Sequence, residues 1–189
     1  LCDRYRSKDG SFDVVVPGSG GKDSAFVAHQ LRDRYGMHPL CVTWSPFEYT
    51  QIGWQNLQNF VKAGFTNILG QPSGPLHRKL TKLGLLLKGD PWEPFAYGQK
   101  AWAFHIATRF DVQLMMYGEN GELEYGGMEK YKHQPSEGPD EWEAAYFKGA
   151  SVDKLISTGL ELGILEDQEV LPGLVELYKA PHPGLLEDS

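Results

Sequence analysis

The feature that most limits what this chain can fold into is a set of short apolar runs that do not alternate. Val14 to Val16 within 12–17 (FDVVVP) and most of 39–44 (PLCVTW) are apolar at consecutive positions, and 66–69 is a briefer run of the same kind. A strand with one wet face alternates, whereas a strand apolar on both sides has to be covered on both sides. Helix-periodic segments separate the runs: Val27, Leu31 and Tyr35 within 24–35, stopped by Gly36, then Leu57, Phe60 and Val61 within 52–64. Leu76, Leu80, Leu83 and Leu87 form a further stripe with Arg78, Lys79 and Lys82 on its wetter side. Ala103, Ile106, Ala107 and Phe110 mark another helix ahead of a fourth expected strand, 112–117 (VQLMMY). Apolar strands alternating with helices predict an α/β fold, a doubly wound parallel sheet with helices on both faces.

A chain of 189 residues suits one core of ordinary size. The α/β domain is expected over 1–130. Residues 131–189 are expected to form a surface insertion and a partial, truncated helical region. Within them, 132–143 (KHQPSEGPDEWE) is polar and broken by prolines, and Ser151 is placed to cap a helix bearing Val152, Leu155, Ile156 and Leu160. From Leu171 onward the prolines and glycines predict little regular structure. The chain begins at Leu1 without a basic-then-apolar leader, and it reads as a trimmed piece of a longer protein.

Partners are bounded by charge and cysteine usage. The net charge is −7 with no block of Lys and Arg, which argues against a nucleic-acid partner. No run of about 18 apolar residues exists, so membrane insertion is not expected. Cys2 and Cys41 form no C-x-x-C pair, and Cys41 inside an apolar run reads as a buried free thiol. A reducing cytoplasm suits both.

Between the first strand and its helix stands PGSGGKDS, residues 17–24. Gly18, Gly20 and Gly21 let backbone approach an anion closely, Ser19 and Ser24 add hydroxyls, and the next helix presents free N–H groups and the positive end of its dipole. Ligands in such sheets bind outside the carboxyl ends of the strands, where this segment lies. The common triphosphate loop requires G-x-x-x-x-G-K-[ST] and the dinucleotide fingerprint G-x-G-x-x-G, and neither is present. An aspartate in a phosphate loop calls for a cation between them, so Asp23 is a candidate Mg²⁺ ligand, a helix cap being its alternative role. Lys22 is placed to meet pyrophosphate charge.

SGGKDS after a valine-rich strand resembles the pyrophosphate loop of the ATP pyrophosphatase superfamily, whose members cut ATP between its α and β phosphates. Over most of the chain, the runs CDRYRSKDGSFDVVVPGSGGKDSAF, YGMHPLCVTWSPFEYTQIGWQNLQNF, LHRKLTKL, PFAYGQK and YGENGELEYGG are similar to the N-acetyl sugar amidotransferases of bacterial surface-glycan pathways, of the pseudaminic and legionaminic acid and lipopolysaccharide type. That resemblance implies conversion of a sugar acetamido group to an acetamidino group, with ATP and Mg²⁺ as cofactors and AMP and pyrophosphate as products. It also implies a sugar substrate, nonulosonic or nucleotide- or lipid-linked, and a separate glutaminase subunit supplying ammonia. The family commonly carries a cysteine-rich segment ahead of this region and continues beyond one like GASVDKLISTGLELG.

Carried onto this sequence, the resemblance assigns Pro17, Gly18, Ser19, Gly20, Gly21, Lys22, Asp23 and Ser24 to the nucleotide's phosphates. Thr43, Trp44 and Ser45 fall where the superfamily reads adenine, and Gly98, Gln99 and Gly118 are further nucleotide contacts. Lys22, Asp23, Lys100, Glu119 and Asn120 are the catalytic candidates, with Asp23 and Glu119 as metal ligands; Glu122 and Glu124 are secondary. A lone lysine such as Lys100 is ordinarily just solvated. Trp44, Trp54 and Trp102 are candidates for an adenine or sugar face, core packing being the expected role of at least two. Two rival classes stay open: another synthetase of this superfamily, such as a tRNA thiolase or lysidine synthetase, and a nucleotide-binding module without chemistry.

Overall fold

The structure, a computed structural model, describes residues 1–119 and 152–181. They belong to two compact units: Leu1–Gln71 with 102–119, and Pro72–Ala101 with 152–181. The expected boundary near residue 130 lies outside the described residues.

The first unit is α/β. After a short helix α1 (Cys2–Tyr5) come β1 (Val14–Pro17), α2 (Lys22–His29, continued by a π-helical turn over Gln30–Arg34), β2 (Pro39–Trp44), α3 (Gln51–Lys62) and β3 (Thr66–Gly70). The strands form a parallel three-stranded sheet in the order β1-β2-β3, with Val15 opposite Leu40 and Val42 opposite Ile68. Both faces are covered, as the non-alternating runs require. Val14, Val16 and Cys41 pack with Ala28 and Leu31 of α2 and Phe60 of α3, while Val15, Leu40 and Val42 pack with Ile106 and Ala107 of α5 (Glu93–Arg109). Burial pushes the Cys41 thiol up to about 12, which leaves it an inert core group.

The expected fourth strand over 112–117 is reduced to a single parallel bridge, Val15 to Met115. Val15 N–H donates to the Leu114 carbonyl at 2.8 Å, and Met116 N–H donates to the Val15 carbonyl at 2.9 Å. Continuing that ladder needs an N–H two residues further along β1, and Pro17 has none. Proline therefore ends the pairing where the glycine loop begins. The bridge lies on the side of β1 away from β2, just before the glycine loop.

Four residues of the expected helical stripes fall outside the core: Tyr35, Val61, Leu87 and Phe110 are each more than two-fifths exposed. Each is the last residue named in its stripe.

The second unit is built on α4 (Gly74–Lys88), the first part of α5 and α6 (Val152–Glu161). Leu76, Leu80 and Leu83 of α4 and Val152, Leu155 and Ile156 of α6 are buried. At Gly159 a Cβ would stand 2.6 Å from Leu83 Cδ1, so glycine permits the close approach there. The tail is more regular than its composition suggests: a 3₁₀ turn over Asp167–Glu169, a short helix α7 (Pro172–Val175) and a second turn over Glu176–Tyr178. The Tyr178 hydroxyl lies 2.9 Å from His77 Nδ1 with the rings stacked, and Lys79 pairs with Glu169 at 2.5 Å. These contacts tie the tail to α4.

Candidate functional site

The glycine loop folds back on the helix it introduces. At Gly18 a Cβ would stand 2.2 Å from Ser24 Cβ, so only glycine fits against the first turn of α2. Gly20 has φ +80, and a Cβ there would lie 2.9 Å from the Asn56 carbonyl of α3. Two glycines are thus demanded by the protein's own packing. Gly21 is different. Its φ is −65, any residue can adopt that backbone, and the nearest atom to a Cβ is Ser19 Oγ at 3.9 Å. Nothing inside the described fold explains the missing side chain, which leaves room for something approaching the backbone from outside.

Gly21 is also the N-cap of α2, and among the described residues no side chain caps that helix. Its first N–H groups keep their positive partial charge, the arrangement that suits an anion. Ser24 does not supply a cap; its hydroxyl donates to the Gly21 carbonyl at 3.2 Å. Asp23 sits inside the first turn with no capping bond, so the helix-cap alternative is not realised. Lys22 Nζ is 3.6 Å from the Asp23 carboxylate, with the two side chains 91% and 51% exposed. Such a pair adds little stability, and both groups are accessible to a ligand.

The segment after the bridge closes on the same turn. At Gly118 a Cβ would be 2.6 Å from the Ser24 nitrogen and 2.7 Å from the Asp23 carbonyl carbon, so glycine permits backbone-to-backbone contact. Glu119, exposed, follows immediately. Mg²⁺ characteristically takes one or two carboxylates plus phosphate oxygens and water, and Asp23 with Glu119 fits that requirement. Among the described residues no group of three or more His, Cys, Asp or Glu side chains is gathered to hold a metal.

At the β2 end the side chains are engaged within the protein. Thr43 is 1% exposed, and its hydroxyl donates to the Gly18 carbonyl at 2.5 Å while accepting from Asn67 Nδ2 at 2.9 Å. Ser45 N–H is engaged by the Gly70 carbonyl at 2.8 Å. Trp44 is buried and faces Trp102, with centroids 6.2 Å apart. The Trp102 indole covers Gly70, where a Cβ would meet it at 2.5 Å. Trp44 and Trp102 are thus packing residues. Trp54 stands 46% exposed beside Tyr49, 5.3 Å between centroids, on the first turns of the helix that Gly20 touches.

Lys100, Gly98 and Gln99 lie on the part of α5 that belongs to the second unit. Gly98 is buried, Lys100 half-buried and Gln99 exposed. Asn120, Glu122 and Glu124 lie outside the described residues. Asn67 was missed by sequence reasoning, since a single asparagine in a short strand carries no signal until its partner is known. Neither a family model nor a curated protein matches the chain. No helix among the described residues is long and apolar enough to cross a membrane.

Proposed function

We propose that the chain is an ATP-dependent amidotransferase that converts a sugar N-acetyl group to an acetamidino group, built on a doubly wound fold of the ATP pyrophosphatase type. The observation that carries the reading is the combination at β1: a glycine loop at the strand's carboxyl end, between its pairing with β2 and its bridge to Met115, leading into a helix whose N-terminus has no side-chain cap among the described residues. The motif resemblance of GSGGKDS and its flanking runs supplies the acceptor. The β and γ phosphates of ATP rest against the N–H groups of 19–24, with Lys22 adding charge. Asp23 and Glu119 would hold Mg²⁺, which neutralises phosphate charge when bound.

The acetyl oxygen of the sugar attacks the α-phosphorus of ATP, and the bond from that phosphorus to the bridging oxygen breaks, releasing pyrophosphate. Ammonia adds to the activated carbon, loses a proton, and AMP departs with the former amide oxygen. An amide carbon is a poor electrophile, and adenylation turns its oxygen into a leaving group. The protein's part is positioning and charge stabilisation, so no cysteine nucleophile is needed. A separate glutaminase supplies the ammonia in the cytoplasm.

The deciding assay is pyrophosphate release from MgATP, with ammonium and a nonulosonic acid bearing an N-acetyl group as acceptor. Release dependent on both supports the reading. Release only with tRNA overturns the sugar assignment, and no release with any acceptor reduces the chain to a nucleotide-binding module.

A further inference from the structure

We infer that Asn67 is a positioning residue for the phosphate loop, acting through Thr43 on the Gly18 peptide; this rests on the phosphate-loop reading above. The direction of each bond in the relay is fixed by chemistry. A carbonyl only accepts, so the Thr43 hydroxyl, 2.5 Å from the Gly18 oxygen, spends its one proton there. It can then only accept from Asn67, which stands 2.9 Å away and presents its amide NH₂. Asn67 on β3 thereby sets the direction of a hydroxyl on β2, and that hydroxyl sets a peptide in the loop after β1.

The consequence falls on the next N–H. Gly18 N–H donates to the Val42 carbonyl at 2.9 Å, so the residue is held at both its nitrogen and its oxygen. A trans peptide places C=O and the following N–H on opposite sides. Holding the Gly18 carbonyl against Thr43 turns the Ser19 N–H away from β2. Ser19 N–H is the first donor of the loop, and its orientation is set before any ligand arrives. Thr43 is 1% exposed, so its contribution to phosphate binding runs through this peptide and not through contact.

Asn67→Asp keeps the shape and reverses the polarity, because a carboxylate accepts and competes with Gly18 for the Thr43 proton. The test is calorimetric affinity for inorganic pyrophosphate with Mg²⁺, and for α,β-methylene-ATP, in wild type, Asn67→Asp, Thr43→Val and the double variant. Asn67→Asp and Thr43→Val are each expected to bind about tenfold more weakly. In the Thr43→Val background, Asn67→Asp should cost nothing more, since its route of action is already cut. Equal losses in both backgrounds would mean through-space repulsion by the new charge and would overturn the relay. So would unchanged affinity in Asn67→Asp alongside binding by wild type, an outcome that leaves the phosphate loop standing. Absence of binding by wild type would instead remove the phosphate reading itself. Should Asn67→Asp not fold, Thr43→Ser against Thr43→Val decides: the hydroxyl of serine must retain affinity that valine loses.

Discussion

Gly21→Ala separates a glycine kept for the fold from one kept for a ligand. At Gly20, alanine faces φ +80, and its Cβ would stand 2.9 Å from the Asn56 oxygen and 3.1 Å from Leu57 Cα. The left-handed backbone alone costs roughly 1–2 kcal/mol, and the clash with α3 backbone adds to it, so a loss of about 2–4 kcal/mol is expected. Gly21 has φ −65 and ψ 162, and among the described residues, its chain neighbours aside, no atom lies nearer than 3.9 Å to a Cβ. Restricting the unfolded chain stabilises Gly21→Ala by about 0.4–1 kcal/mol. Alanine is a poorer N-cap than glycine by roughly the same amount, so the net change is about zero. A methyl group in the cradle nevertheless displaces a phosphate oxygen from the N–H groups of α2, and an affinity loss of tenfold or more is expected. Urea unfolding and calorimetric titration with α,β-methylene-ATP read the two quantities on the same protein. A Gly21→Ala protein as unstable as Gly20→Ala would show that the fold demands the glycine; one that binds nucleotide like wild type would refute the cradle.

Three further outcomes test other parts of the structure. Burial holds His77 down from the ordinary 6.5 to about 4, so as pH falls the unfolded chain takes up a proton before the folded one can. Stability of the second unit is therefore lost between about pH 6.5 and 4, by up to about 3 kcal/mol, and is pH-independent in this respect above that window; a Tm series should show the slope in wild type and not in His77→Gln. Asp23→Asn should raise the Mg²⁺ concentration needed for half-maximal pyrophosphate release about tenfold or more, with little change in the unfolding of the free protein, because the ion pair of Asp23 among the described residues is an exposed one with Lys22 at 3.6 Å. If the acetyl oxygen of the sugar is labelled with ¹⁸O, the label should appear in AMP; label retained in the sugar would exclude adenylation of that oxygen.

What the sequence makes legible and what it hides divide along a physical line. Strands that are apolar at every position announce a sheet covered on both faces, because burial is a property each residue carries alone, and Val14 to Val16 reveal it directly. The extent of pairing depends on partners. The run VQLMMY has the composition of a strand, but its ladder on β1 ends because Pro17, a hundred residues earlier in the chain, has no N–H to give. The loop shows the same division. Glycines in a row suggest backbone approaching an anion, and all three look alike in the sequence. Their reasons differ: contact with Ser24 at Gly18, the left-handed turn against α3 at Gly20, and at Gly21 nothing the fold itself requires. Thr43 to Ser45 are assigned to adenine through their backbone groups, and that assignment says nothing of the Thr43 hydroxyl, which is spent on the Gly18 carbonyl. Its partner Asn67 is connected to the loop by no local pattern. In a parallel sheet the carboxyl ends of sequence-distant strands become neighbours, so a ligand loop is oriented from the strands beside it. A site of this kind can be located from its own residues, but its preorganisation has to be found one strand over.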